Sequence, residues 1–382
     1  DAMVTLAVTV RDAGDYAGAR ELEQEVLGRR RELLGSDDLR TLTAMANLAV
    51  TLRDAADYSA ARELQQHVLD RRRELLGPDD SRTLIAMANL AATLRWAADY
   101  AGARELEQEV LGRRRELLGP DDSRTLIAMA NLAATLRDAG DFAGARELEQ
   151  EVLDRRRELL GPDDLRTLTA MATLAVTLRN AADYSTAREL QQHVLDRRRE
   201  LLGPDDPRTL TAMATLAVTL WWAADYEGAR ELQQHVLDRR RELLGPDHPD
   251  TLDAMAVMAR ISRWAADYST ARELEQEVLG RRRELLGPDD LRTLTAMANL
   301  AATVRDAADY STARDLEQEV LGRRRELLGS DDPRTLDAMA NLAATLRWAA
   351  DYAGARELEQ EVLGRRRELL GSDDPRTLDA MA

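Results

Sequence analysis

One segment of 42 residues is copied nine times along this chain, and only four of its 382 residues are left over. Position 2 of each copy is Ala, position 3 is Met, and position 16 is Tyr or, in the fourth copy, Phe142. A unit this short cannot bury a core alone, so the copies must stack on one another. Position 1 of the successive repeats is Asp1, Thr43, Ile85, Ile127, Thr169, Thr211, Asp253, Thr295 and Asp337.

Composition removes several classes of protein. The chain has no Cys, which excludes a disulfide framework and a thiolate zinc site. All 53 positive charges are Arg, against 70 acidic residues, and the net charge of −17 argues against nucleic acid as a partner. No apolar run approaches the roughly 18–20 residues of a membrane span, and no signal peptide opens the chain. We predict a cytoplasmic protein without a membrane or nucleic-acid partner.

Each repeat predicts two helices, A and B, of about 17 and 20 residues. Apolar residues three and four apart form one stripe on each helix. In the second repeat the stripe of helix A is Leu42, Met45, Leu48, Ala49, Leu52 and Ala55, and that of helix B is Tyr58, Ala61, Leu64, Val68, Leu69, Leu75 and Leu76. The Tyr ring fills the gap between the two helices in this prediction.

Polar residues and glycine predict where these helices begin and end. Asp57 lies where helix B needs an N-cap, and Asp206-Pro207 places an N-cap and a first-turn proline before helix A. Gly35 and its eight equivalents follow helix B, where a left-handed αL residue is expected. Both helices are thereby bounded within every repeat.

The pattern Met3, Leu6-Ala7, Val10, Ala13-Gly14, Asp15-Tyr16 and Ala19 resembles the tetratricopeptide repeat. The 42-residue period and the linker 244–250 are similar to the kinesin-light-chain type of that family. The resemblance implies an all-α fold over residues 1–382, an α-solenoid in which antiparallel helix pairs stack into a right-handed superhelix. Position 23 departs from the family, because it is Glu or Gln where an apolar or aromatic residue is usual.

The resemblance also implies that helix A lines a concave groove, through positions 1, 4, 5, 8, 11 and 12, that holds a peptide or another protein. In the family an Asn at position 5 hydrogen-bonds the backbone of an extended ligand, and a carboxamide both donates and accepts. Solvated side chains on a helix face are the alternative. The residues concerned are Asn47, Asn89, Asn131, Asn299 and Asn341.

Two further groove positions predict contacts with acidic or aromatic segments. Position 12 is Asp or Asn in five repeats and Trp in four, so the Trp is not an obligatory core residue and suits an interface anchor. Packing over the corner between helices A and B is the alternative. The four are Trp96, Trp222, Trp264 and Trp348, and position 11 is Arg in eight repeats, among them Arg53, Arg95 and Arg137.

The seventh repeat departs furthest from the others. Arg260 projects from a groove position, and Ser262 replaces an apolar residue of the helix A stripe. This repeat is either a drifting copy or a specialised pocket with Trp222 and Trp264.

Every repeat carries an Arg triplet such as Arg29-Arg30-Arg31. The triplets form either a track for an anionic polymer or, as we favour, cations placed to suit the helix dipole. His67, His193 and His235 share position 25 without further metal ligands. No nucleophile is paired with a base, and there is no glycine-rich phosphate loop. We therefore predict no metal, no cofactor and no enzymatic activity.

The sequence thus favours a protein–protein interaction scaffold, which family context places as the recognition arm of a larger bacterial signalling protein. One alternative is a structural array that stacks head to tail. Because the array is cut within helix A at both ends, residues 374–382 could complete the first helix of the next chain. The least favoured alternative is an anionic-polymer binder that uses the Arg triplets.

Overall fold

Eighteen helices follow one another along the part of the chain described by the computed structural model, residues 2–12 and 14–370. Helix A spans 16 residues in the complete repeats and helix B spans 19, close to the predicted lengths. The helices are α1 (Ala2–Asp12), α2 (Tyr16–Leu34), α3 (Leu39–Asp54), α4 (Tyr58–Leu76), α5 (Ser81–Trp96), α6 (Tyr100–Leu118), α7 (Ser123–Asp138), α8 (Phe142–Leu160), α9 (Leu165–Asn180), α10 (Tyr184–Leu202), α11 (Pro207–Trp222), α12 (Tyr226–Leu244), α13 (Pro249–Trp264), α14 (Tyr268–Leu286), α15 (Leu291–Asp306), α16 (Tyr310–Leu328), α17 (Pro333–Trp348) and α18 (Tyr352–Leu370).

The predicted N-caps are confirmed. The side chain of Asp57 accepts a hydrogen bond from the backbone N–H of Ala60 at the start of α4. Asp206 caps α11, where Pro207 occupies the first turn. At the start of α13 the ring of His248 replaces the carboxylate and accepts a hydrogen bond from the N–H of Asp250.

The predicted αL conformation of the glycine after helix B is wrong. Gly35 has φ 87° and ψ 165°, a region that is essentially open to glycine alone. Positive φ also occurs after helix A, where seven repeats place an alanine such as Ala56 (φ 65°). There the N–H of Asp57 donates to the carbonyl of Leu52, which closes a Schellman motif.

The core lies between helices A and B and follows the predicted stripes closely. Leu42, Met45 and Ala49 of helix A are fully covered, and Val68 and Leu69 of helix B are 1% exposed. One prediction was wrong, because Leu75, near the end of helix B, is half-exposed. The ring at position 16 is partly covered, as Tyr58 shows, so its place between the two helices stays a prediction.

The chain divides into two compact units, residues 1–183 and 184–382. Within each unit every helix packs on the next one along the chain, and neighbouring A helices such as α3 and α5 or α11 and α13 also touch. This nearest-neighbour packing confirms the predicted all-α solenoid of stacked helix pairs. The segment 374–382, on which the predicted head-to-tail contact depends, lies outside the described residues.

Candidate functional site

Five carboxamides lie on the partly exposed face of helix A, at position 5. Among the described residues, none of the five has an intramolecular hydrogen-bond partner. A threonine at the same position behaves differently, because the hydroxyls of Thr173 and Thr215 donate to the carbonyls of Thr169 and Thr211. The carboxamides are therefore available to a ligand. They belong to Asn47, Asn89, Asn131, Asn299 and Asn341.

The four tryptophans at position 12 are exposed at the C-terminal end of helix A. Their exposed fractions lie between 52% for Trp222 and 65% for Trp348, with Trp96 and Trp264 both at 59%. Large apolar side chains this exposed are unusual for a packing role and are typical of interface anchors. The alternative of a Trp packed over the helix corner therefore has little support in the geometry.

The three arginines at position 11 that were predicted as groove residues already have anionic partners. Arg53 donates to Asp54 at 2.8 Å, and Arg137 donates to Glu149 at 3.0 Å. Arg95 lies 3.6 Å from Asp138 on the next repeat, and at 22% it has the most exposed side chain of these three. A ligand that reaches these guanidinium groups must compete with carboxylates of the protein itself, so their part in binding stays a prediction.

Position 23 forms a buried polar column that the sequence analysis did not anticipate. Its side chains are 0–5% exposed in the first eight repeats, and neither carboxyl oxygen of Glu275 has a hydrogen-bond partner. Burial raises the pKa of Glu275 and of Glu317 to about 7. Gln233 at the equivalent position donates from Nε2 to the carbonyl of Ala254 at 2.8 Å. The sequence signal was the Glu or Gln at position 23, where the family usually has an apolar or aromatic residue, but the sequence alone does not show that this position is buried.

The Arg triplets tie neighbouring repeats together. In the second repeat Arg71 donates a hydrogen bond to Asp37 of the preceding repeat at 2.8 Å. Arg72 donates to the backbone carbonyl of Arg82. Arg73 donates to Glu109 of the following repeat at 3.0 Å. Equivalent contacts recur along the chain. Because most of these guanidinium groups are held by the protein, with Arg157 and Arg199 among the exceptions, the triplets offer little free charge to an anionic polymer.

Repeats six and seven hold a group of three tryptophans. Trp221 replaces the usual arginine at position 11, and its ring centroid lies 4.7 Å from that of Trp222 and 5.6 Å from that of Trp264, both edge-on. At other junctions the same two positions form an ion pair, as between Arg263 and Asp306 at 3.6 Å. Ser262, on the same helix as Trp264, is 2% exposed, and its hydroxyl has no hydrogen-bond partner.

Residues 2–12 and 14–370 contain no group of three or more His, Cys, Asp or Glu side chains placed to hold a metal ion. None of their helices is both long enough and apolar enough to cross a membrane.

The repeat of this chain matches the models of a known repeat family. Models of the tetratricopeptide repeat match segments that together span almost the whole chain: residues 1–39, 41–81, 82–158, 124–200, 166–227, 209–250, 251–291, 293–334 and 335–376. The chain belongs to the tetratricopeptide-repeat family. The resemblance stated from the sequence is thereby confirmed.

Solved structures share the fold of this tetratricopeptide-repeat array at low sequence identity. A Rap protein complexed with competence and sporulation factor is 12% identical, with 96% of this chain and 98% of that chain covered and a TM-score of 0.57. The apo quorum sensor NprR from B. thuringiensis is 11% identical, with coverage of 95% and 97% and a TM-score of 0.55. BtubC from P. vanneervenii is 18% identical over 60% and 92%, with a TM-score of 0.50. No curated protein matches the chain.

Proposed function

We propose that this tetratricopeptide-repeat array is a non-catalytic scaffold that binds an extended polypeptide along the exposed face of helix A. The observation that carries the proposal is the set of asparagine carboxamides without intramolecular partners. Three of them, Asn47, Asn89 and Asn131, occur at position 5 of consecutive repeats, and Trp96 is exposed on the same series of helices. Regularly spaced donors and acceptors suit the regularly spaced peptide groups of an extended chain.

The fold neighbours are consistent with this role, since one of them, the Rap protein, was solved in complex with a competence and sporulation factor. The same proposal includes the expected context, a recognition arm of a cytoplasmic bacterial signalling protein. We disfavour the anionic-polymer alternative, because most arginines of the triplets are engaged in contacts within and between repeats.

Threonine is a suitable replacement for these asparagines, because it already occupies position 5 in other repeats, as Thr173 and Thr215 show. A variant with Asn47→Thr, Asn89→Thr and Asn131→Thr removes three free carboxamides and introduces a residue whose hydroxyl bonds to its own helix elsewhere in the chain. Random twelve-residue peptides are displayed and selected against the wild-type chain, and the affinity of the selected peptides is then measured for both proteins.

We expect the triple variant to lose at least about tenfold in affinity, since each hydrogen bond contributes roughly 0.5–1.5 kcal/mol. The matched control is Gln108→Thr, which removes an exposed carboxamide from helix B of the third repeat. A selection that yields no binder, or binders that respond equally to the control, would contradict the proposal.

A further inference from the structure

Arg260 lacks the anionic partner that the arginines of this chain usually have. It lies at position 8 of α13, where other repeats carry Ala or Val, and it remains exposed. Its guanidinium makes neither a hydrogen bond nor an ion pair with any residue that the structure describes. Although the residue reaches the surface, desolvation of part of its side chain lowers the pKa of Arg260; the nearby charge of Arg263 lowers it further, and Glu275 opposes both effects. The site therefore favours the approach of an anion.

The same helix carries Trp264 four residues later, so the guanidinium and this indole lie on one face of α13. Trp264 is in edge-on contact with Trp221 of the adjacent helix α11, and Trp221 in turn contacts Trp222. More than half of both Trp222 and Trp264 is exposed. These four residues, which we call the Trp–Arg260 patch, combine a large aromatic surface with a cation that forms no ion pair with any described residue.

Backbone recognition is missing at this point of the array. Position 5 of repeat six is Thr215, whose hydroxyl donates to its own helix, and position 5 of repeat seven is Val257. The free carboxamides resume only with Asn299 in repeat eight and continue with Asn341 in repeat nine. A polypeptide whose backbone is bound by those two carboxamides can therefore be bound at the patch only through its side chains or its terminal group.

We propose that the Trp–Arg260 patch binds the C-terminal end of a polypeptide whose last side chain is aromatic or large and apolar. The terminal carboxylate pairs with Arg260, and the last side chain packs on Trp222 and Trp264. A chain end requires no further backbone contacts on repeats six and seven, which carry no carboxamide at position 5. Charge-assisted hydrogen bonding to the carboxylate and burial of the aromatic surface act together. This inference deepens the function proposed above and rests on it.

Three synthetic probes separate the possible sources of the carboxylate. The first is N-acetyl-Gly-Ser-Phe with a free C-terminus, the second is the same peptide as its C-terminal amide, and the third is N-acetyl-Gly-Phe-Glu-Gly amide, which carries its carboxylate on a side chain. Binding to the full chain is followed by NMR through the indole N–H signals of the five tryptophans. The signals of the patch are assigned with Trp221→Arg and Trp264→Asp, residues that other repeats carry at these positions.

We expect the free-acid probe to shift the signals of Trp221, Trp222 and Trp264 saturably, with at least tenfold weaker binding for the amide and for the internal glutamate. Arg260→Ala, which copies the residue of repeat eight, should weaken the free-acid probe tenfold or more while the circular dichroism spectrum stays unchanged. The exposed Trp348 serves as the control signal and should not shift.

Equal binding of acid and amide, preference for the internal glutamate, or insensitivity to Arg260→Ala would overturn the proposal. So would the absence of any shift at millimolar probe. Because these probes are too short to require the carboxamides at position 5, such a failure is distinguishable from failure of the proposed function, which is tested through Asn47, Asn89 and Asn131.

Discussion

Replacing the buried Glu275 by Gln should stabilise the array at pH 8 and change it little at pH 5. Burial of the carboxyl raises its pKa from 4.5 to about 7, and Asp306 adds to that effect. The nearby Thr303 hydroxyl and the charges of Arg263 and Arg260 offset only part of it. The folded protein therefore holds a proton that the unfolded chain releases between about pH 4.5 and 7.

The sign and size of the effect follow from linkage. A carboxyl whose pKa is raised on folding carries no penalty below its unfolded value, and its penalty grows as pH rises towards the folded value. Each pH unit corresponds to about 1.4 kcal/mol, so the penalty reaches about 3 kcal/mol above pH 7. Gln removes it, and Gln233 shows that the amide fits this site and donates to a backbone carbonyl.

Urea unfolding of wild type and Glu275→Gln, followed by circular dichroism at pH 5 and pH 8, measures the difference. Repeat arrays do not always unfold in one step, so the free energies are obtained with a nearest-neighbour description of the repeats. Glu273→Gln, on the exposed face of the same helix, is the matched control. An equal gain at both pH values, or no gain at pH 8, would refute the argument from the buried charge.

Four further substitutions test the fold by the same unfolding assay. Gly322→Ala, in the middle of helix B with open space around the added Cβ, should stabilise by about 0.5–1 kcal/mol, and a loss would contradict this. Gly140→Ala places a Cβ at φ 84° and should destabilise by about 1 kcal/mol, whereas Ala98→Gly, the reverse change, should stabilise the array. Ser262→Leu restores the usual core residue and removes an unpaired buried hydroxyl, so we expect a gain of about 1–3 kcal/mol; destabilisation would show that repeat seven has repacked.

The sequence predicted what depends on local signals. Asp57 and Asp206 mark helix starts because an N-cap acts within two or three residues, and the apolar period identified Met45 and Leu69 as core. The contacts between repeats could not be predicted, since the bond from Arg71 to Asp37 spans 34 residues and depends on how the helix pairs stack.

The candidate site divides in the same way. The repeat spacing placed the asparagines in one row, but only the structure shows that their carboxamides lack partners while the threonines of that row bond to their own helix. The burial of position 23 could not be predicted, because Glu and Gln side chains usually lie at the surface. The Trp–Arg260 patch depends on the contact between α11 and α13, which no single repeat contains.

The most direct test of the central claim observes the carboxamides themselves. In the chain labelled with ¹⁵N, the side-chain NH₂ signals of Asn47, Asn89 and Asn131 are followed while a selected twelve-residue peptide is added. We predict that these signals shift together and saturate at the dissociation constant measured independently, while that of Gln108 on helix B does not move. Saturable binding that leaves the three asparagine signals unchanged would contradict the account.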